Sequence, residues 1–492
     1  MLGSSFSLKL SRFYFKFLTF QFLHLILLLI VKDISESGLV LIISGITNII
    51  IYTFFLINRI TKYVNIVNPL NFYLVASIIR LGIGVIYTGF VFISDFDEFL
   101  GIGYNDISDD IINGHILLIL GDIMFIIGYS FFQNNSLNKS LKKSNYFFSG
   151  LLLASFALVT KFLEFDLGRF ILYFTNFGMA SGIYIMGKSL INTNPRKFLF
   201  RYILTILMFI FSVFISLFSY MKSDLLISFL PVVFLLLELY KDKKFKLSTL
   251  SILKISMPML IITYFAVITI TIYSGLRRSY IGINNTEVSN ARSVEVSPFL
   301  KTALVASIPG TKEFNQFNQF PNLGFWHFVK RNSVTNLGAW AYNEVDESGY
   351  WERNFFNYLF GSMIPRIFWP EKPQYWPGRE FAVKTGQAKS PELATTSTAL
   401  TMAGAYYWWG GYFALIFGML FSGAFLSIIF RKIENKLHNP IAVMISFILI
   451  FQSLKWFEGS FMGSIPLFVY IIIVFSPLIY LYDLIIRKTD KY

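Results

Sequence analysis

The chain has 492 residues, of which 55% are hydrophobic, 18% aromatic and only 14% charged, with a mean hydropathy of +0.60 and a formal net charge of +14. Ordinary soluble chains are roughly 25% charged, so this composition lacks the polar surface that a water-exposed globule of this size needs. A soluble multidomain enzyme and a disordered protein are excluded, and the absence of cysteine excludes disulfides, thiolate metal sites and cysteine nucleophiles.

The apolar residues fall in runs of about 20, the length that crosses a bilayer core. In chain order they predict twelve helices, over 13–31, 38–57, 70–93, 113–132, 147–163, 169–187, 202–220, 225–240, 251–273, 399–430, 441–455 and 464–486. The first is read as a span and not as a cleavable signal, because Lys32-Asp33-Ile34-Ser35-Glu36 follows it without a small-residue cleavage motif. With the N-terminus in the cytoplasm and the spans alternating, the inside segments hold twenty-one Lys and Arg residues. The short outside loops hold four: Lys32, Lys161, Arg169 and Lys222. That asymmetry is what the positive-inside rule predicts, so the basic balance reads as a topology signal and not as a nucleic-acid surface. The expected fold is therefore an all-α polytopic membrane protein of about twelve transmembrane helices. It divides into a nine-span bundle over 1–273, an extracytoplasmic segment over 274–398 and three further spans over 399–492, with both termini cytoplasmic.

A structureless connection of 125 residues would be unusual, so 274–398 is expected to fold on the membrane and to carry function. All eight tryptophans lie after residue 325, and seven fall between Trp326 and Trp409: Trp326, Trp340, Trp351, Trp369, Trp376, Trp408 and Trp409. They read either as an interfacial aromatic belt or as a groove whose indole faces stack on sugar rings. The stretch from Trp351 to Phe360 has the spacing of an amphipathic helix lying on the membrane surface. It leads into Met363-Ile364-Pro365-Arg366-Ile367-Phe368-Trp369-Pro370-Glu371-Lys372-Pro373, which its prolines make stiff and extended.

Cations on a stiff segment suit a polyanion, and the guanidinium fork matches phosphate oxygens. Arg366, Lys372 and Arg379 are the candidates there, with Arg277 and Arg278 at the end of the ninth span and Lys222 in an outer turn. Headgroup anchoring and loop salt bridges are the alternative use of the same charges. Arg80 and Asp122 lie at similar mid-depth in the third and fourth spans, where an unpaired charge costs several kcal/mol. They are expected to form a structural ion pair in the bundle interior, with a substrate or proton pathway as the other reading. His327 is the one histidine in the long segment and a candidate base. No metal-ligand spacing, phosphate-cradling glycine loop or nucleophile elbow is present, and Gly82-x-Gly84 reads as close helix packing.

The arrangement resembles the bacterial O-antigen, or oligosaccharide repeat-unit, polymerases of the Wzy type: many spans with one long outer segment late in the chain. The likeness is sharpest at Ser362 to Pro373, which is similar to the "PR…WP.KP" segment of many members, and at Tyr406-Tyr407-Trp408-Trp409-Gly410-Gly411, similar to their aromatic-glycine stretch. Lys222 stands in a turn where members often carry arginine. Where they often carry glutamate, this chain has Gly404 and Ala405, with Glu371, Glu380 and Glu392 nearby. The topology covers the whole chain and the local motif roughly 50 residues.

The resemblance implies a GT-C-like bundle and an inverting, metal-independent glycosyltransferase without a cofactor. It would act on undecaprenyl-diphosphate-linked oligosaccharides at the outer face of the bacterial cytoplasmic membrane, among membrane lipids. A chain-length regulator and a flippase are partners it allows. The leaving diphosphate needs fixed cations, for which Arg277, Arg278, Arg366, Lys372, Arg379 and Lys222 are the candidates. The acceptor hydroxyl needs a base, for which Glu371, Glu380 and His327 are the candidates. Trp326, Trp369, Trp376, Tyr406 and Trp409 would hold sugar. An O-antigen ligase shares the architecture, and a lipid-linked oligosaccharide flippase or transporter is the rival of another class.

Overall fold

The computed structural model describes residues 2–32, 37–62, 67–93, 110–132, 146–162, 169–191, 198–218, 222–241, 333–351, 377–384, 400–437, 439–455 and 475–489, with isolated positions between them. Every regular element among the described residues is helical. Apolar surroundings favour this outcome, since a helix satisfies its own backbone hydrogen bonds without water. Six helices have the length and composition to cross a membrane: Phe13–Val31, Ser37–Ile60, Pro69–Ile93, Ile111–Phe132, Leu199–Ser216 and Met402–Glu434. Three shorter apolar ones cover Tyr146–Thr160, Ile227–Leu239 and Pro440–Leu454. The expected span over 251–273 lies outside the described residues. Large apolar side chains remain on the surface of these helices, Phe413 at 73% and Phe15 at 72% exposure, as befits contact with lipid chains and not water.

The chain forms two compact units, Met1–Lys143 with Ser333–Tyr492, and Ser144–Asn332. In the first, α1 (Leu2–Val31), α2 (Ser37–Lys62), α3 (Pro69–Ser77), α4 (Gly84–Ile93) and α5 (Ile111–Phe132) are joined by α10 (Thr335–Ser348), α11 (Pro377–Lys384), α12 (Met402–Glu434), α13 (Pro440–Lys455) and α14 (Ser476–Thr489). The second holds α6 (Tyr146–Phe162), α7 (Arg169–Leu190), α8 (Leu199–Phe218) and α9 (Lys222–Lys241).

Small residues decide which helices meet. Gly38 and Gly45 of α2 run antiparallel to Gly89 and Gly82: a Cβ on Gly89 would fall 2.5 Å from the Gly38 carbonyl oxygen, and one on Gly45 2.8 Å from that of Gly82. Backbones this close need glycine, and the gain is van der Waals contact along the whole seam. The packing role expected of Gly82 thus has Gly89, one heptad on, as its companion. In the second unit Gly150 and Gly182 join α6 to α7 in the same way. Lys188 pairs with Glu238 at 2.8 Å between α7 and α9, with the Tyr184 hydroxyl donating to the same oxygen at 2.9 Å.

α3 starts by the local rules: the Asn68 side chain accepts from Leu70 N and Pro69 stands at the first helical position. The same Asn68 Oδ1 accepts from Arg59 Nη2 and from the Tyr129 hydroxyl, each at 3.0 Å. Arg59 also donates to Asn71 at 2.7 Å and to the Tyr14 hydroxyl, and is wholly buried. Positive charge at the end of the second span therefore ties three helices together instead of facing water. Between α3 and α4 the helix widens into a π turn over Ile78–Ile83, where Gly84 N bonds to Ile79 O.

Candidate functional site at the re-entrant segments

α12 does not run straight. Gly410 (φ −162°, ψ 35°) and Gly411 (φ 62°, ψ −154°) leave the helical region. The Tyr406 hydroxyl meets Ser422 Oγ at 2.9 Å, and a Cβ on Gly418 would fall 2.5 Å from the Tyr406 ring. Sixteen residues of straight helix span about 24 Å, well beyond the reach of a tyrosine. Residues 402–409 therefore fold back against 414–422, turning at the glycine pair. A Cβ on Gly121, halfway along α5, would touch both Ala403 and Leu415, which lie on the two arms. The expected single span over 399–430 is thus corrected: two helical turns run from a buried start to the turn at Gly410–Gly411, and the long arm then runs back beside them. Thr401 caps the dipping arm by accepting from Gly404 N at 2.9 Å.

A second buried helix start precedes it. Ser333, Val334 and Thr335 are buried, and Ser333 Oγ hydrogen bonds Thr88 Oγ1 of α4. α10 then climbs outward, its last residues, Asp346 to Ser348, being exposed. Gly338 and Gly114 permit this close docking, since a Cβ on Gly114 would fall 2.1 Å from Ala339 N. α10, within the long segment, and the first arm of α12, just after it, therefore both start buried in the bundle.

Where the two arms emerge, aromatic rings gather. Trp351 stacks on Trp408 at 5.2 Å and 16°, and Trp351 N donates to Trp408 O at 2.9 Å. Phe381 of α11 is fully buried edge-on against Trp408 at 5.5 Å. The Trp351 indole donates to Glu380 Oε2 at 3.0 Å, and Lys384 pairs with Glu344 at 2.8 Å, so α11 is fixed to α10. Beside this, Tyr342 stacks on Tyr407 at 5.8 Å and 9°, and Tyr412 meets Tyr407 edge-on at 5.0 Å. The Tyr350 hydroxyl lies over Gly411, within 2.8 Å of where a Cβ would stand. Tyr350 and Tyr412 are 57% and 44% exposed, so this part of the cluster is open. Burial first, then the Asp110 and Asp346 carboxylates, raise the Tyr342 hydroxyl above the ordinary phenol range, so it stays a neutral donor. An open tyrosine platform with carboxylates beside it can stack on a pyranose face and bond its hydroxyls.

The expected site residues divide sharply. Glu380 is at the cluster, held by the Trp351 indole; Glu371 and Trp369 are exposed. Tyr406, expected to hold sugar, is corrected: it is buried against Gly418 and bonded to Ser422, because the reversal at Gly410–Gly411 turns its ring inward. Trp409 is half-buried at the turn. Arg277, Arg278, Trp326, His327, Arg366, Lys372 and Trp376 lie outside the described residues. The expected helix over 351–360 does too, apart from Trp351, as do the side chains of Arg379 in α11 and Lys222, which opens α9 instead of standing in a turn.

Sequence reasoning missed Tyr342, Tyr350, Tyr407 and Tyr412 as a group. Tyr407 stood in the quoted aromatic-glycine stretch, but only the fold brings α10 to it. The Arg80–Asp122 ion pair is also corrected. Among the described residues Asp122 is held by hydroxyls: Tyr52 Oη on Oδ2, Ser77 Oγ on Oδ1 at 3.0 Å, and Tyr73 as well. Ser77, one turn before Arg80, takes the place facing Asp122, while Arg80 sits within the π turn where the residue rotation departs from that of a regular helix.

Comparison with protein-family models, with curated proteins and with solved structures finds no match.

Proposed function

We propose that the chain is a multi-pass, GT-C-like polymerase of about twelve spans in a bacterial cytoplasmic membrane. It joins undecaprenyl-diphosphate-linked oligosaccharide repeat units into a surface polysaccharide by inverting glycosyl transfer at the outer face. The observation that carries the reading is the pair of buried helix starts, at Thr335 within the long segment and at Thr401 just after it. They bring an open aromatic platform to the end of a membrane bundle. A lipid-linked saccharide needs both features: a lipid-exposed bundle for the polyprenyl chain and stacking faces for the sugars. The charge asymmetry of the loops puts that end outside the cell.

In this reading the platform of Tyr342, Tyr350, Tyr407 and Tyr412 orients a sugar. A carboxylate takes the proton of the attacking hydroxyl as the new glycosidic bond forms and the bond to the diphosphate breaks. Glu380 and Glu371 are the candidates. Cations from the long segment, Arg277, Arg278, Arg366, Lys372 and Arg379, receive the charge of the leaving diphosphate. Deleting the gene should leave single repeat units on the carrier. Loss of outward-facing units would instead indicate a flippase, and long chains stranded on the carrier a ligase. Arg366→Ala and Arg277→Ala should abolish chain growth at normal protein levels, and wild-type chain lengths in both would remove the clamp.

A further inference from the structure

The first unit also buries polar groups away from the aromatic platform. His24 Nε2 lies 2.9 Å from Ser44 Oγ, and the same oxygen lies 2.7 Å from His115 Nε2. The three side chains come from α1, α2 and α5 and are all buried, at 6%, 1% and 0% exposure. A serine hydroxyl has one hydrogen. It donates to one imidazole and must accept from the other, so the two rings are held in opposite tautomers. One ring carries its proton on Nε2 and has a bare Nδ1; the other carries it on Nδ1. Both Nδ1 atoms are buried without a hydrogen-bond partner among the described residues. One end of the triplet is thus poised to take a proton and the other to release one.

Ser44 opens a stripe along α2. Asn48 follows one turn on, donating to Leu81 O at 3.0 Å with Gln21 of α1 beside it at 3.5 Å. Tyr52 follows one turn later, hydrogen bonded to Asp122, which Ser77 and Tyr73 also bind. The Asn48 and Tyr52 side chains are wholly buried and Asp122 is 1% exposed. Arg80, also buried, stands on the facing π turn. Ionisable groups in a membrane interior are expensive to keep, and chains of His and Asp there mark proton relays.

We propose that this protein carries protons. The His24–Ser44–His115 triplet is a proton relay. In each transfer a proton binds the bare Nδ1 of one imidazole. The Nε2–H bond of that ring breaks as its proton passes to Ser44 Oγ, and the serine's own proton passes to Nε2 of the other ring. That ring then releases the proton on its Nδ1. One proton enters, one leaves and no electron moves. The proposal is independent of the transferase reading, since its ligand is the proton alone.

The test uses the full chain in liposomes holding a pH-sensitive dye, with a potassium gradient and valinomycin to drive protons inward. Wild-type protein should acidify the lumen measurably faster than protein-free vesicles, and more slowly in D2O than in H2O. Ser44→Ala removes a single oxygen and should return the rate to that of protein-free vesicles, whereas Ser44→Thr keeps the hydroxyl and should keep the flux. A wild-type rate equal to that of protein-free vesicles, an unchanged rate in Ser44→Ala, or loss of flux in a Ser44→Thr protein of wild-type melting temperature would each overturn the proposal.

Discussion

Asp122 shows how a carboxyl group survives in the core of a bundle. It is surrounded by hydroxyl donors from α2 and α3, with Tyr52 the nearest. Leaving a buried polar group without its donor costs about 1–3 kcal/mol. Tyr52→Phe should therefore lower the thermal stability of the purified protein. Combined with Asp122→Ala, its effect should be non-additive by roughly 1–3 kcal/mol, as for residues in direct contact; additive losses would show that the two do not interact. Hydropathy alone made Asp122 and Arg80 visible as charges within apolar spans. It could not give their rotation about the helix axes, because the π turn over Ile78–Ile83 leaves no signature in composition. The same limit applies to His24 and Ser44: their types were legible, while their convergence with His115 depends on where three helices cross.

At the scale of elements, the reversal in α12 rests on one residue. Gly411 has φ 62° and ψ −154°, a region essentially confined to glycine, and the Tyr350 hydroxyl fills the space where a side chain would begin. Gly410, at φ −162°, is free of left-handed strain, but a Cβ there would lie 3.0 Å from Ala414 Cβ. Gly411→Ala should thus destabilise the protein by about 1–3 kcal/mol, whereas Gly410→Ala, which meets one methyl group and no left-handed strain, should cost less. Equal effects in thermal denaturation would mean that the turn is not built as described. The glycine pair was legible as a feature, and so was the apolar run around it. Hydropathy counts apolar residues without their direction, so a folded-back hairpin and one long span look alike to it. The helices α2, α5 and α8 have no such reversal, and there the expected spans and the observed elements coincide closely.

For the whole molecule, the sequence made the membrane character, the helical class and the tryptophan-rich segment visible. The meeting of α10 with the first arm of α12 was not visible, since it joins residues some sixty apart through glycine contacts with α5. The lack of cysteine permits a direct test of sidedness. A cysteine at Glu347, on the exposed end of α10, should react with a membrane-impermeant maleimide in intact cells. One at Lys432, exposed near the far end of α12, should react only after lysis. The reverse pattern would put the aromatic platform in the cytoplasm and exclude it from outward-facing polymerisation.

Glycosyl transfer itself is tested most directly with the purified protein in detergent, supplied only with undecaprenyl-diphosphate-linked repeat units. Translocation has no meaning there, so chain growth is the sole readout. A ladder of products at integral multiples of the repeat, shortened or lost in Glu380→Gln, is the expected result. Repeat units that stay single in the presence of well-folded wild-type protein would contradict it.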